Sequence, residues 1–279
     1  MLRPLPLPES LAAMPSARLP TYYLPHGGGP CFFMEWDPPD TWNRMAALLQ
    51  GLIATLDTKP AAVVVVSGHW EDPGFAVGTA EHPPLLFDYY GFPEHTYRLT
   101  YPAPGDPALA QQVRGLLAEA GFATREEAER GFDHGVFVPF KLLLPEADVP
   151  IVQLSLRQDL DPAAHIAAGL ALAPLRDAGV LIVGTGMSFH NLRAFGPGAA
   201  APSAAFDAWL VDAATAPDPQ TRNERLTHWR DAPAARIAHP REEHLLPLMV
   251  AAGAAGDDVG RRIYTDHVMG ATLSAYRFG

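Results

Sequence analysis

Residues 61–66 are apolar without interruption, and 180–183 form a second such run. Runs of β-branched residues that do not alternate with polar ones predict strands buried on both faces, as in a parallel sheet. Residues 21–24 and 151–156 predict two more strands, and 75–79, 262–267 and 272–277 predict shorter or later ones. Between these runs the period changes. Trp42, Met45, Leu48, Leu49, Leu52 and Ile53 fall on one helical face, which predicts a helix over 41–56 with Asp40 as its N-cap. Residues 107–120 open on a proline and stop before Gly121, a helix signature at both ends. Helices are also predicted over 162–177, 202–214 and 220–229. Another is expected to begin within 239–248, where Pro240 suits a first turn and Glu242 and Glu243 suit the positive end of the helix dipole. Residues 82–107, rich in Pro, Tyr, Phe and Gly, fit neither period, and a loop that long in a compact domain is usually functional. Strands alternating with helices make this an α/β protein. The expectation is a single domain over 19–279 with a central, largely parallel mixed β-sheet flanked by helices, preceded by a proline-punctuated arm over 1–18.

Composition narrows the function. Twenty Lys and Arg against 31 Asp and Glu leave a formal charge of −11, which argues against nucleic acid or an anionic membrane as partner. The single cysteine, Cys31, excludes an internal disulfide and a thiolate zinc site; it reads as a small buried residue rather than a nucleophile. The first 20 residues lack the apolar core of a signal peptide, and the longest apolar run is far too short to span a bilayer, so a cytoplasmic protein is expected.

The histidines carry the chemistry. Six of the 11 stand within three residues of Gly, Pro or Ser where an element is expected to begin or end: His26, His69, His134, His190, His239 and His244. Three of them follow predicted strands, and ligands in open α/β sheets bind beyond the carboxyl ends of the strands. Neutral imidazole is the commonest metal ligand, and three facing side chains with open positions make a catalytic site. Each histidine also has a plain reading: His69 bonded to a carbonyl, His239 as a cap, His244 in the core, His134 on a loop and oriented by Asp133. Spacing leaves these alternatives open and does not name a metal.

The segments PHGGGP, SGHWE, HPPLLFDYYGFPEHTYRLTYPAPG, GFDHGVFVPF, GTGMSFHN and HPREEHLLPL recur in this order over roughly residues 20–250. Together they resemble the class III extradiol ring-cleavage dioxygenase superfamily, on its DOPA 4,5-dioxygenase branch. The resemblance implies an α/β domain holding one non-haem Fe(II); the higher affinity of zinc for nitrogen ligands lets Zn(II) occupy such a site in purified protein. It implies His26, His69 and His244 as metal ligands, with Glu243 the alternative for the third, since a related branch uses a glutamate there. His190 corresponds to the acid/base histidine and His134 to one that hydrogen-bonds substrate or oxygen; His239 lies near the site. The implied partners are a DOPA-like or other substituted catechol and O2, in a monomer or homodimer. The run Phe87, Tyr89, Tyr90 and Phe92 offers the walls of an aromatic pocket, with ordinary loop packing as its plain alternative. Two other functions fit the same histidines: a zinc-dependent amidase or deacylase, and a redox-silent metal-binding scaffold.

Overall fold

The computed structural model describes residues 18–279, so the arm expected over 1–18 lies, apart from Arg18, outside the described residues. Eight strands form one sheet: β1 (Thr21–Pro25), β2 (Ala62–Asp72), β3 (Phe75–Gly78), β4 (Thr124–Glu127), β5 (Ile151–Arg157), β6 (Val180–Gly186), β7 (Gly260–Val268) and β8 (Ala271–Phe278). Their order is β4-β3-β5-β2-β6-β1-β8-β7. The centre, β5-β2-β6-β1, is parallel throughout and made of the apolar runs. Antiparallel pairs flank it on both sides, β3 on β5 and β8 on β1, with the β7–β8 hairpin closing one edge. The expected class holds. The hydrophobic pattern missed β4, whose sequence TREE is charged and largely exposed; an edge strand of that kind is protected from further pairing by its charge.

The helices are α1 (Asn43–Leu52), α2 (Pro107–Glu119), α3 (His134–Leu143), α4 (Pro162–Leu172), α5 (Ala200–Ala214), α6 (Pro219–Thr227), α7 (Ala235–Ala238) and α8 (Leu246–Ala255). Every residue of α8 is buried. It lies on β1, β2 and β6 and is covered in turn by α4. The two helices cross backbone to backbone, because a Cβ on Gly169 would overlap the Val250 carbonyl and one on Gly253 the Ile166 carbonyl. Helix C-termini leave carbonyls without partners. Here two buried arginines take them: Arg176 donates to Ala254 and Ala255 (both 2.9 Å), and Arg222 donates to Ala252 (2.9 Å) and Gly256 (2.7 Å).

Among the boundaries that differ from expectation, four change how the chain is read, three of them at the histidines. Helix α1 begins at Asn43, and Asp40 offers it a backbone carbonyl (3.0 Å) rather than a side-chain cap. Strand β2 does not stop at Val66: it continues to Asp72 through an irregularity between Val66 and Glu71, pairing again with β5, so His69 lies inside the strand. His134 is not on a loop but opens α3, a helix obscured by its own glycine and proline and apolar nearly all round. Residues 239–245 form a turn, and α8 starts at Leu246 with Pro247, not Pro240, in its first turn. None of the described helices is long and apolar enough to cross a membrane.

Candidate active site

Three stretches deliver histidines to one point. His26 directly follows β1 and extends its ladder, its amide donating to the Gly186 carbonyl (3.1 Å). The chain then turns at Gly27 (φ +79°), where a Cβ would overlap the Cys31 sulfur. His69 projects from the irregular part of β2. His244 comes from the turn before α8, which rests directly on the sheet: a Cβ on Gly186 would overlap the His244 carbonyl, and one on Gly68 would sit 3.0 Å from the Glu243 carbonyl. The His244 carbonyl is further held by the Tyr23 hydroxyl (2.6 Å) and the Met187 amide (3.2 Å).

The Nε2 atoms of His26 and His69 lie 3.2 Å apart, and those of His69 and His244 3.1 Å apart. Nδ1 of His26 donates to the Gly27 carbonyl (2.7 Å), and Nδ1 of His244 faces the Glu243 carboxylate (3.1 Å). With the proton on Nδ1 in both rings, both Nε2 atoms present lone pairs toward the third ring. One proton on His69 can serve only one of them. Burial, reinforced by the neighbouring imidazoles, pushes the imidazolium pKa of all three well below its ordinary value, so the cluster is neutral near pH 7. Three neutral, convergent nitrogens fit a divalent cation, and two metal–nitrogen bonds of about 2.1 Å span the observed separations.

Around this triad stand two histidine–carboxylate pairs. Asp88 accepts from both the amide (2.9 Å) and Nδ1 (2.8 Å) of His134, and its other oxygen lies 3.7 Å from Nδ1 of His69. Glu243 places one oxygen 3.3 Å from Nδ1 of His190 and 3.1 Å from Nδ1 of His244. The rings of His190 and His244 stack at 3.4 Å. Each carboxylate therefore joins one triad histidine to one outer histidine. Burial alone would favour the neutral acids, but the His134 contacts outweigh it at Asp88, and His190 and Arg241 outweigh it at Glu243; both carboxyls lie below their usual range. Asp133 does not orient His134. It is buried against Ser67 (2.7 Å) and Gln153 (2.5 Å), and burial raises its pKa. His239 is set apart, its Nε2 on the Ser188 carbonyl (3.0 Å) between Phe206 and Trp229. Cys31 is buried and burial raises its thiol, which fits a packing role and not a nucleophile.

The histidines form the floor of a cavity of about 670 Å³, within the range that takes a drug-sized ligand. Tyr89, Tyr90 and Phe92 line it, as expected; Phe87 does not, packing instead on Tyr89, Tyr97 and Phe137. Residues 20–279 match the family described as the catalytic LigB subunit of aromatic ring-opening dioxygenase. The chain belongs to the LigB family. The dioxygenase is 40% identical to a 4,5-DOPA dioxygenase extradiol of Beta vulgaris, over 79% of this chain and 83% of that one. It is 35% identical to the 4,5-DOPA dioxygenase extradiol of Escherichia coli K12, over 86% and 87% of the two chains. A crystal structure of an uncharacterized protein from Escherichia coli K12 superposes with a TM-score of 0.76 at 30% identity, covering 94% of this chain and all of that one.

These relatives place the dioxygenase on the DOPA dioxygenase-like branch of the class III extradiol superfamily and decide what the histidines left open. The chemistry is extradiol ring opening with O2, not amide hydrolysis, and the protein is an enzyme, not a silent scaffold. LigB dioxygenases are metal-dependent, and among the described residues His26, His69 and His244 are one of three groups close enough to share an ion. The other two, His69–Asp88–His134 and His190–Glu243–His244, are built on histidine–carboxylate contacts through Nδ1, whereas the triad meets through Nε2. Sequence reading missed Asp88, one carboxylate in an aromatic loop, and the cavity residues Trp36, Trp42, Met187, Leu192, Phe195, Arg241 and Met269. No local signal marks these; they meet only when the chain folds.

Proposed function

We propose that this extradiol dioxygenase holds one Fe(II) on His26, His69 and His244 and opens the ring of a substituted catechol, with DOPA a member of that class. The observation that carries the metal site is the meeting of three Nε2 atoms, two of them with their protons already committed to Nδ1. Bound Fe(II) with open positions would receive the two catechol oxygens and O2 and pass electrons between them. His190 acts as the acid/base. Its Nδ1 rests on Glu243, which leaves Nε2 to take a catechol proton and later return it to the opening ring. Glu243 stabilises the imidazolium formed meanwhile, so its task is to support His190 and His244 rather than to bind iron. His134, fixed at two atoms by Asp88, turns its Nε2 to hydrogen-bond the oxygens at the reacting centre. Zn(II) in purified protein would reflect its higher affinity for nitrogen ligands.

The test is anaerobic loading with Fe(II) or Zn(II), followed by DOPA, caffeate or a simple catechol and O2. Oxygen uptake with a coloured ring-opened product from the Fe(II) form alone supports the reading. Equal turnover by the Zn(II) form, or none with any catechol, would overturn the Fe(II) assignment or the substrate class respectively.

A further inference from the structure

The cavity is far larger than a bare catechol ring, and its walls describe the rest of the guest. Its histidines and carboxylates lie at the inner end, where His26, His134 and His244 are nearly inaccessible and both carboxylates are engaged with histidines. Toward the mouth the lining changes to Trp36, Tyr90, Phe92, Leu192, Phe195 and Met269. Three of these stand out into solvent, Tyr90 at 91%, Leu192 at 72% and Met269 at 48% exposure. Large apolar groups gathered on a cavity rim mark a surface that a ligand covers.

Met269 adds an independent sign. It shares the β7–β8 turn with Gly270, and both have positive φ, +49° and +85°. That turn type favours Asn-Gly or Gly-Gly, because a side-chain-bearing residue is strained in the left-handed region. A methionine kept there, lining the cavity, has a use that offsets its strain. The turn is tied to the other half of the rim, since the Gly196 amide, next to Phe195, donates to the Met269 carbonyl (2.8 Å).

Among the described residues, Arg241 is the one cation lining the cavity. Both of its terminal nitrogens grip Glu71, one at 2.6 Å, and its remaining charge faces Glu243 at 3.7 Å. A substituent carboxylate would meet an arginine already paired on two sides, in a cavity whose lining also carries the carboxylates of Asp88 and Glu243.

We infer that the catechol this dioxygenase prefers carries an uncharged apolar or aromatic substituent, held by Tyr90, Leu192 and Met269, and not the charged amino-acid side chain of DOPA. The inference rests on the catechol reading of the site and sharpens it. Four catechols test it on the Fe(II)-loaded protein: phenethyl caffeate with a neutral aromatic tail, 3,4-dihydroxyphenylpropionate with an anionic one, DOPA, and 4-methylcatechol with no tail. The expected kcat/KM for phenethyl caffeate exceeds that for DOPA and for the propionate at least 10-fold, mainly through KM. The double variant Tyr90→Ser, Leu192→Ser should lower the ratio of kcat/KM between phenethyl caffeate and 4-methylcatechol at least 5-fold. Binding to the metal-free protein, read as quenching of tryptophan fluorescence from Trp36 and Trp42, should follow the same order. Preference for DOPA, or a ratio unmoved by the double variant, overturns the inference. Absence of O2 uptake with all four would instead strike the catechol reading, and the order of fluorescence quenching would then decide the substituent.

Discussion

His244 and His190 are stacked ring on ring and share one glutamate, yet their proposed tasks differ, and so do the consequences of losing them. His244 presents Nε2 to the other triad rings; His190 presents Nδ1 to Glu243 and stands outside them. His190→Ala should keep near-stoichiometric iron, measured by metal analysis after anaerobic loading, while turnover falls about 10²–10⁴-fold, the usual weight of a general acid–base group. His244→Ala should lose the iron. Retention of iron by His244→Ala would move the third ligand to Glu243. Asp88→Asn keeps an acceptor for one His134 nitrogen but removes the charge. Its kcat/KM should drop about 10–100-fold with iron content held, as is typical when a group that orients an active-site histidine is changed. A wild-type rate in that variant would show that His134 needs no anchor.

At the scale of elements, the site depends on how closely the turn before α8 lies on the sheet. Gly68 and Gly186 remove the side chains that would hold it away, and Gly184 does the same beneath Pro247 in the first turn of α8. Gly186→Ala must displace the His244 backbone, and overpacking of this kind costs about 1–3 kcal/mol. The urea midpoint should fall and iron affinity with it. Gly115 offers the contrast: it is exposed within α2 and has nothing within 4 Å of where a Cβ would stand. Gly115→Ala should raise stability by about 0.5–1 kcal/mol and leave iron affinity alone. If the two substitutions act alike, close backbone packing is not what seats His244. Helix periodicity revealed α2 because that helix has an apolar and a polar side. It could not reveal where α3 and α8 begin, since both are buried nearly all round and contain the glycine and proline that ordinarily mark helix ends.

Across the whole molecule, burial of neutral histidine ties stability to pH. His165, which does not line the cavity and packs on Phe75, accepts from the Arg157 amide (3.1 Å) and donates to the Asp161 carbonyl (2.7 Å). Burial lowers its pKa to about 4. Its folded value is below the unfolded one of about 6.5, so the unfolded chain binds the proton first as pH falls. The contribution is complete above pH 6.5 and is lost as pH drops toward 4; the shift corresponds to about 3 kcal/mol. Urea unfolding of metal-free protein should show wild type losing more stability than His165→Gln across that window, although the variant starts lower. Parallel pH profiles would mean that His165 is not the neutral ring this environment implies.

The amino-acid sequence by itself determined the α/β class, the four central strands and the family. Those follow from apolar runs that only a two-sided sheet can bury and from motifs whose histidines survive in order along the chain. It also supplied the five histidines that meet in the site, because glycine, serine or proline close to a histidine at the end of an element is a local signal. Tertiary structure decided their division of labour. Which nitrogens converge depends on β2 continuing past Val66 and on glycines that let a turn more than 170 residues away from His69 settle on the sheet. Asp88 and Glu243 became partners of particular rings, and Leu192, Phe195 and Met269 became one rim, only through contacts between distant segments. Such contacts leave no periodicity to read, since they arise from the arrangement of the elements rather than from the character of any one of them.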